Sequence, residues 1–260
     1  MLLSAAAAWW LAAQTSVGVS ARARALHARS LVFDGHVHAV DREFYRGGDI
    51  GQRKPDGQFD LPRAQEGGLG ALFFSIFVTE DYYPARFETR QALRMLDTAV
   101  DQSARNSQAI EIAHTASDIE RIRKTGRIAA VLDIEGSFDL DGDPAVLREM
   151  YRLGMRSVQL SAHNWTSNYA DSCCSASRWK GLNDRGRDVI REMNRLGMVI
   201  NVSHASDDAI SQEHGFLPDR FDEGQFHSRI QDLKRQAGET CARPHVDQAV
   251  GRVRPPGQDT

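Results

Sequence analysis

The chain has 260 residues, with 32 Lys and Arg against 35 Asp and Glu, a formal charge of -3. That length holds one large α/β domain or two small ones, and the absence of a long basic block excludes nucleic acid as a natural partner. Three cysteines, two of them the neighbours Cys173 and Cys174, exclude a disulfide framework and a C-x-x-C zinc site. Ordinary thiols or one local bridge remain.

Residues 1–13 form an apolar run containing Trp9 and Trp10, shorter than the ~20 residues a membrane-spanning helix needs. Val19-Ser20-Ala21 has the small residues of a cleavage site, and Arg22 and Arg24 follow the run instead of preceding it. Residues 1–21 read as a secretory signal without its basic start, which places the protein in the periplasm or outside the cell. A cytosolic N-terminal helix in a cytoplasmic protein and an uncleaved membrane anchor are the alternatives.

The folded part opens on Leu31-Val32-Phe33-Asp34-Gly35-His36-Val37-His38. Alternation along a strand puts His36 and His38 on one face, where two imidazoles can converge on a metal ion. Residues 41–63 carry Gly47-Gly48, Lys54-Pro55-Asp56-Gly57 and Leu61-Pro62 and read as a long loop. Residues 71–78 are too continuously apolar for a half-exposed strand and suit a strand covered on both faces of a parallel sheet. Between residues 86 and 107, Leu93, Leu96 and Val100 define the apolar stripe of an amphipathic helix. Ser117 to Glu120 has the form of a capping box for a short helix stopping near Gly126. Residues 128–134 form another buried strand, followed by Glu135-Gly136. A helix over residues 144–153 leads to a strand over 155–161. Residues 163–180 form a loop, Asp184 caps a helix ending at Gly197, residues 198–203 form a strand ending at His204, and Ser206 starts one more helix.

Strand and helix alternate, which implies a parallel sheet with right-handed crossovers. About five strands precede residue 204, and His36, His38, Glu135, His163 and His204 all fall at or just past their carboxyl ends. In a (β/α)₈ barrel of the TIM type that is the face on which sites are built. A metal site explains the common register better than chance does.

The same residues resemble a known family. Asp34-Gly35-His36, Asp133-Ile134-Glu135-Gly136 and Val202-Ser203-His204 are similar to the metal-site motifs of the membrane (renal-type) dipeptidases, zinc peptidases of the amidohydrolase class. The resemblance covers about residues 31–211. It implies hydrolysis of dipeptides at a two-Zn²⁺ site, with Glu135 as the bridging carboxylate, His36 on the first zinc and His204 on the second. His38 stands where the family pattern has an aspartate, so a neutral ligand replaces an anion; either a branch of the family uses histidine there or the first metal binds more weakly. His163 matches the histidine that contacts substrate and steadies the oxyanion as an activated water attacks the peptide carbonyl. A homodimer is a further implication.

The family pattern also needs a second histidine about 20 residues past His204, a late aspartate and an arginine. Only 13 of the 49 residues from 212 to 260 are apolar, which suits a divergent, disordered tail. His227, 23 residues past His204, is a weak candidate for the missing ligand, and His245 and Asp247 are weaker. The expected organisation is therefore an N-terminal segment over 1–21, a barrel cut short after about five strand-helix units over 22–211, and a tail over 212–260. The alternative to an active enzyme is a catalytically inactive, truncated remnant of one.

Overall fold

The computed structural model describes residues 18–78, 87–136, 143–161 and 166–214. The apolar run of residues 1–13, His163, Trp165, His227, His245 and Asp247 lie outside the described residues. The chain divides into two compact units, residues 1–32 and 33–260. The first contains helix α1 (Ala21–Arg29), whose N-terminus is capped by the Ser20 hydroxyl accepting from the Ala23 N–H at 3.1 Å. None of its residues is buried.

The second unit runs β1 (Phe33–Val37), α2 (Asp41–Arg46), α3 (Leu61–Glu66), β2 (Ala71–Phe77), α4 (Glu88–Arg105), β3 (Ile110–Ile112), α5 (Ala116–Lys124), β4 (Ile128–Glu135), α6 (Pro144–Arg152), β5 (Ser157–Gln159), α7 (Asp184–Leu196), β6 (Val199–Asn201) and α8 (Asp207–His214). All strand pairs are parallel, in the order β1-β2-β4-β5-β6. The remaining strand, β3, pairs with the first residues of β4, and β5 pairs with Asp133 and Ile134 further along. Among the described residues there are thus six strands, against the five expected. The three-residue β3 is too short to leave a pattern in the sequence.

The two central strands are buried on both faces, as their apolar runs require. Alternation sorts their side chains. Leu72, Phe74 and Ile76 of β2 join Ala130, Leu132 and Ile134 of β4 in the main core, together with Met95 and Ala99 of α4, Leu147 and Met150 of α6, and Val189 and Ile190 of α7. Ala71, Phe73, Ala129 and Val131 take the other face. Continued toward the carboxyl ends, that second face changes from apolar to polar at Ser75, Asp133 and Glu135. This change of character positions the candidate site.

Several local expectations are corrected. Residues 41–63 are not one loop, because α2 and α3 occupy their two ends; Asp60 caps α3 by accepting from the Arg63 N–H at 2.8 Å. The inward face of α4 is Gln91, Ala92, Met95, Leu96, Ala99, Gln102 and Ser103, while Leu93 and Val100 are exposed. Gln102 is drawn inward because its amide accepts from the Ile50 N–H at 2.9 Å and donates to the Gly48 carbonyl at 3.0 Å. The capping box on α5 belongs to Thr115 and Asp118, two residues before the expected start. Asn183, not Asp184, caps α7, which ends at left-handed Gly197 as expected. No helix among the described residues is long and apolar enough to cross a membrane.

Candidate metal centre

The site begins with an irregularity in β1. Phe33 and Asp34 lie opposite Ala71 and Leu72, but Val37 lies opposite Phe74, so β1 spends one extra residue over this interval. A one-residue change of register reverses the face of every later side chain. Without it, His36 would lie opposite Phe74 and point into the main core. With it, Val37 packs there, and His36 and His38 point to the polar face of Ser75, Asp133 and Glu135. Gly35 is buried within the bulge, and the Asp34 carboxylate accepts from the His36 N–H at 3.1 Å.

His36 Nε2 and His38 Nε2 lie 2.8 Å apart, and Glu135 Oε2 lies 2.8 Å from the first and 2.6 Å from the second. The other carboxylate oxygen, Oε1, faces His204 Nε2 at 3.6 Å. Glu135 is buried, and the ring of His38 stacks on Phe77 with 5.3 Å between centroids. The structure therefore brings together four of the five residues singled out from the sequence; the fifth, His163, lies outside the described residues.

The cluster is strongly polarised. Burial disfavours a charged His36, but its contacts with Asp133 and Glu135 outweigh this and raise its pKa to about 9. Burial likewise opposes charge on His38, and Asp41 and Glu135 lift it to about 10. Burial would raise Glu135, yet its bonds to His36 and His38 pull it down to about 2. Two imidazole nitrogens and a carboxylate oxygen with donor atoms within 4.8 Å of one another form a group that could hold a metal ion. Such a donor set suits zinc chemically.

Further residues complete the surroundings. Ser75 Oγ lies 3.0 Å from His36 Nδ1 and donates to Asp133 Oδ2 at 2.8 Å, and Asp41 Oδ2 lies 3.3 Å from His38 Nδ1. Ser75 and Asp133 are polar interruptions in otherwise apolar strands, which is the signal by which the sequence could have revealed them.

His204 is positioned differently. It sits past β6 with a left-handed backbone (φ 63°). Its carbonyl accepts from the Cys173 N–H at 2.8 Å and the Ser161 hydroxyl at 3.1 Å. Ser172 and Ala205 form an antiparallel bridge, and the Ser206 N–H donates to the Asp171 carbonyl at 2.9 Å. The loop of residues 166–181 thus clasps the segment around His204. Buried Asp171 organises that loop by accepting from the N–H groups of Arg178, Trp179 and Gly181 and from the Ser177 hydroxyl. Cys173 and Cys174 are joined in a disulfide, the local bridge among the two outcomes open to them. Helix α7 backs the loop at Gly186, where a Cβ would overlap the Tyr169 carbonyl oxygen.

Parallel strands with intervening helices, and a carboxylate–histidine cluster at their carboxyl ends, define an α/β half-barrel of the TIM type. The family is more specific: residues 20–213 match the model of the membrane dipeptidases (Peptidase family M19), and the chain belongs to that family. The chain is 36% identical over 162 residues to dipeptidase tcpJ of Claviceps purpurea, covering 59% of this chain and 38% of that one. Among solved structures it is similar to the probable dipeptidase PvdM of Pseudomonas aeruginosa, with a TM-score of 0.66 at 23% identity over 75% of this chain and 52% of that one. It is also similar to a metallopeptidase of Rhodobacter sphaeroides liganded with a phosphinate mimic of the dipeptide L-Ala-D-Ala, with a TM-score of 0.61 at 21% identity over 72% and 62% of the two chains. The chain spans 31–42% of the length of the curated relatives it matches.

Proposed function

We propose that the chain carries the amino-terminal part of a zinc-dependent dipeptidase site in which Glu135 is shared between two metal ions. The observation that carries this reading is the division of the Glu135 carboxylate, with Oε2 toward His36 and His38 and Oε1 toward His204. His36 and His38 would hold the first ion and His204 the second. When bound, a zinc pair supplies the Lewis acidity that makes a water molecule nucleophilic near neutral pH. The chain's own residues hold and orient the donors: β1 and β4 fix the three-residue group, and the loop over 166–181 fixes His204. His163 is assigned the stabilisation of the developing oxyanion on its match to the family motif. A dipeptide substrate is supported by the names of the relatives and by the dipeptide mimic held in the Rhodobacter sphaeroides peptidase.

The test is zinc content after purification without chelator, together with hydrolysis of dipeptides. About two zinc ions per chain, as a carboxylate-bridged pair requires, with turnover abolished by chelation and by Glu135→Gln, is the expected result. The competing reading is an inactive remnant, favoured by His204 being the one histidine on the Oε1 side of Glu135 among the described residues. Zinc well below one ion per chain and no turnover would establish it.

A further inference from the structure

The hydrogen-bonding inventory behind the histidines determines more than their position. Ser75 and Asp133 are directly opposite one another in the β2–β4 register, and both are fully buried. The Ser75 hydroxyl has one proton, and it is donated to Asp133 Oδ2. The 3.0 Å contact between Ser75 Oγ and His36 Nδ1 must then be made by the ring N–H donating to the hydroxyl oxygen. A neutral His36 so held presents its Nε2 lone pair toward His38 and Glu135. Asp41 does the same for His38 without an intermediary, since a carboxylate accepts from the Nδ1–H and leaves Nε2 as the open nitrogen.

We infer that Ser75 and Asp133 form a positioning relay that fixes the ring orientation and Nδ1–H tautomer of His36, and that Asp133 with Asp41 supplies outer negative charge for a cation held by His36, His38 and Glu135. This rests on the metal reading given above and deepens it. Two observations argue against mere packing. Asp133 Oδ1 has no hydrogen-bond partner among the described residues, so the buried carboxylate is incompletely satisfied by the protein alone. Its Oδ2 is 3.6 Å from His36 Nδ1, directly behind the ring whose Nε2 faces His38 and Glu135. The three inner donors carry one formal negative charge, that of Glu135, against the two positive charges of a divalent ion. Asp133 and Asp41, one behind each imidazole, add negative charge at one remove, and outer carboxylates of this kind raise the basicity of the ligating nitrogen.

The experiment measures zinc affinity of the full chain by competition with a chromophoric chelator, for the wild type and for Ser75→Ala, Ser75→Thr, Asp133→Asn and Asp41→Asn. Ser75→Ala and Asp133→Asn are expected to weaken zinc binding by roughly 10–100-fold, the usual consequence of losing an outer partner, while Ser75→Thr stays within about threefold of wild type. Thermal unfolding of the metal-free variants separates this effect from loss of fold, and Asp41→Asn, at a partly exposed residue, gives a variant in which folding is not at stake. In the zinc-loaded protein labelled with ¹⁵N-histidine, His36 should show a slowly exchanging Nδ1–H that disappears in Ser75→Ala. Wild-type affinity in Ser75→Ala and Asp133→Asn, or ligation of zinc through Nδ1 of His36, would overturn the relay and leave the metal site standing. Failure of the wild type to bind zinc would overturn both.

Discussion

The two sides of Glu135 are built in different ways. On the Oε2 side every participant except Asp41, which opens α2, lies on or next to a strand: His36 and His38 on the bulged end of β1, Ser75 on β2, Asp133 and Glu135 on β4. Their mutual positions follow from register, and each histidine has a hydrogen-bonding partner behind it. On the Oε1 side His204 is placed by its backbone, through the loop over residues 166–181. Sheet register fixes side chains as rigidly as the core that carries it, whereas a clasp of backbone hydrogen bonds can be loosened while the core stays intact. The first side should therefore behave as part of the fold, and the second as an attachment to it.

The strongest way to break this comparison is to insert one alanine between Gly35 and His36. With the one-residue bulge kept, the added residue moves His36 opposite Phe74 and brings Val37 to the polar face. The expected outcome is loss of zinc binding together with a large loss of stability, since two polar rings would enter an apolar core, at roughly 1–3 kcal/mol for each unsatisfied group. Retained zinc binding would show that register does not set the face.

The clasp is tested at Gly186. Gly186→Ala places a methyl group against the Tyr169 carbonyl and should cost about 1–3 kcal/mol by overpacking. Hydrogen exchange is expected to quicken over residues 166–181 and around His204, with β1, β2 and β4 unaffected. Equal quickening in both regions would mean that the two sides are one cooperative unit.

The smallest effect concerns pH. In the metal-free protein the raised values of His36 and His38, about 9 and about 10 against 6.5, stabilise fully below pH 6.5, and this is lost as pH rises through the folded values. The lowered value of Glu135, about 2 against 4.5, stabilises above pH 4.5 and is lost as pH falls toward 2. The cluster thus favours the metal-free fold most between pH 4.5 and 6.5. Zinc needs neutral imidazoles, so the zinc-loaded form gains as pH rises. The difference in Tm between the zinc-loaded and metal-free forms should widen from pH 6.5 to 9. A constant difference would place zinc elsewhere.

Much of this was legible in the sequence wherever a long apolar run or a strong cap stood out. β2 and β4 are continuous apolar runs because both faces are covered, and α7 carries a full-length stripe ending at Gly197. What escaped was short or depended on tertiary contacts. Three-residue β3 has no period, and α4 turns Gln102 inward instead of Val100 because the chain near Ile50 needs the amide. At the site, the histidines and the carboxylate were readable as residue types at strand ends, and Glu135 lies at the carboxyl end of β4. The relay was not readable, because Ser75 and Asp133 look like mere interruptions until register sets them side by side. Nor was the bulge, although a glycine within a strand is the usual trace of one.

The order of the residues along the chain also gives the site a history during synthesis. Every member of the three-residue group and its relay lies between His36 and Glu135, while His204 follows Glu135 by 69 residues. At roughly 5–20 residues per second a ribosome needs about 3 to 14 s to cover that stretch. A nascent chain therefore has His36, His38 and Glu135 in hand well before His204, and under the proposed function the order of translation itself would favour filling the His36 side first.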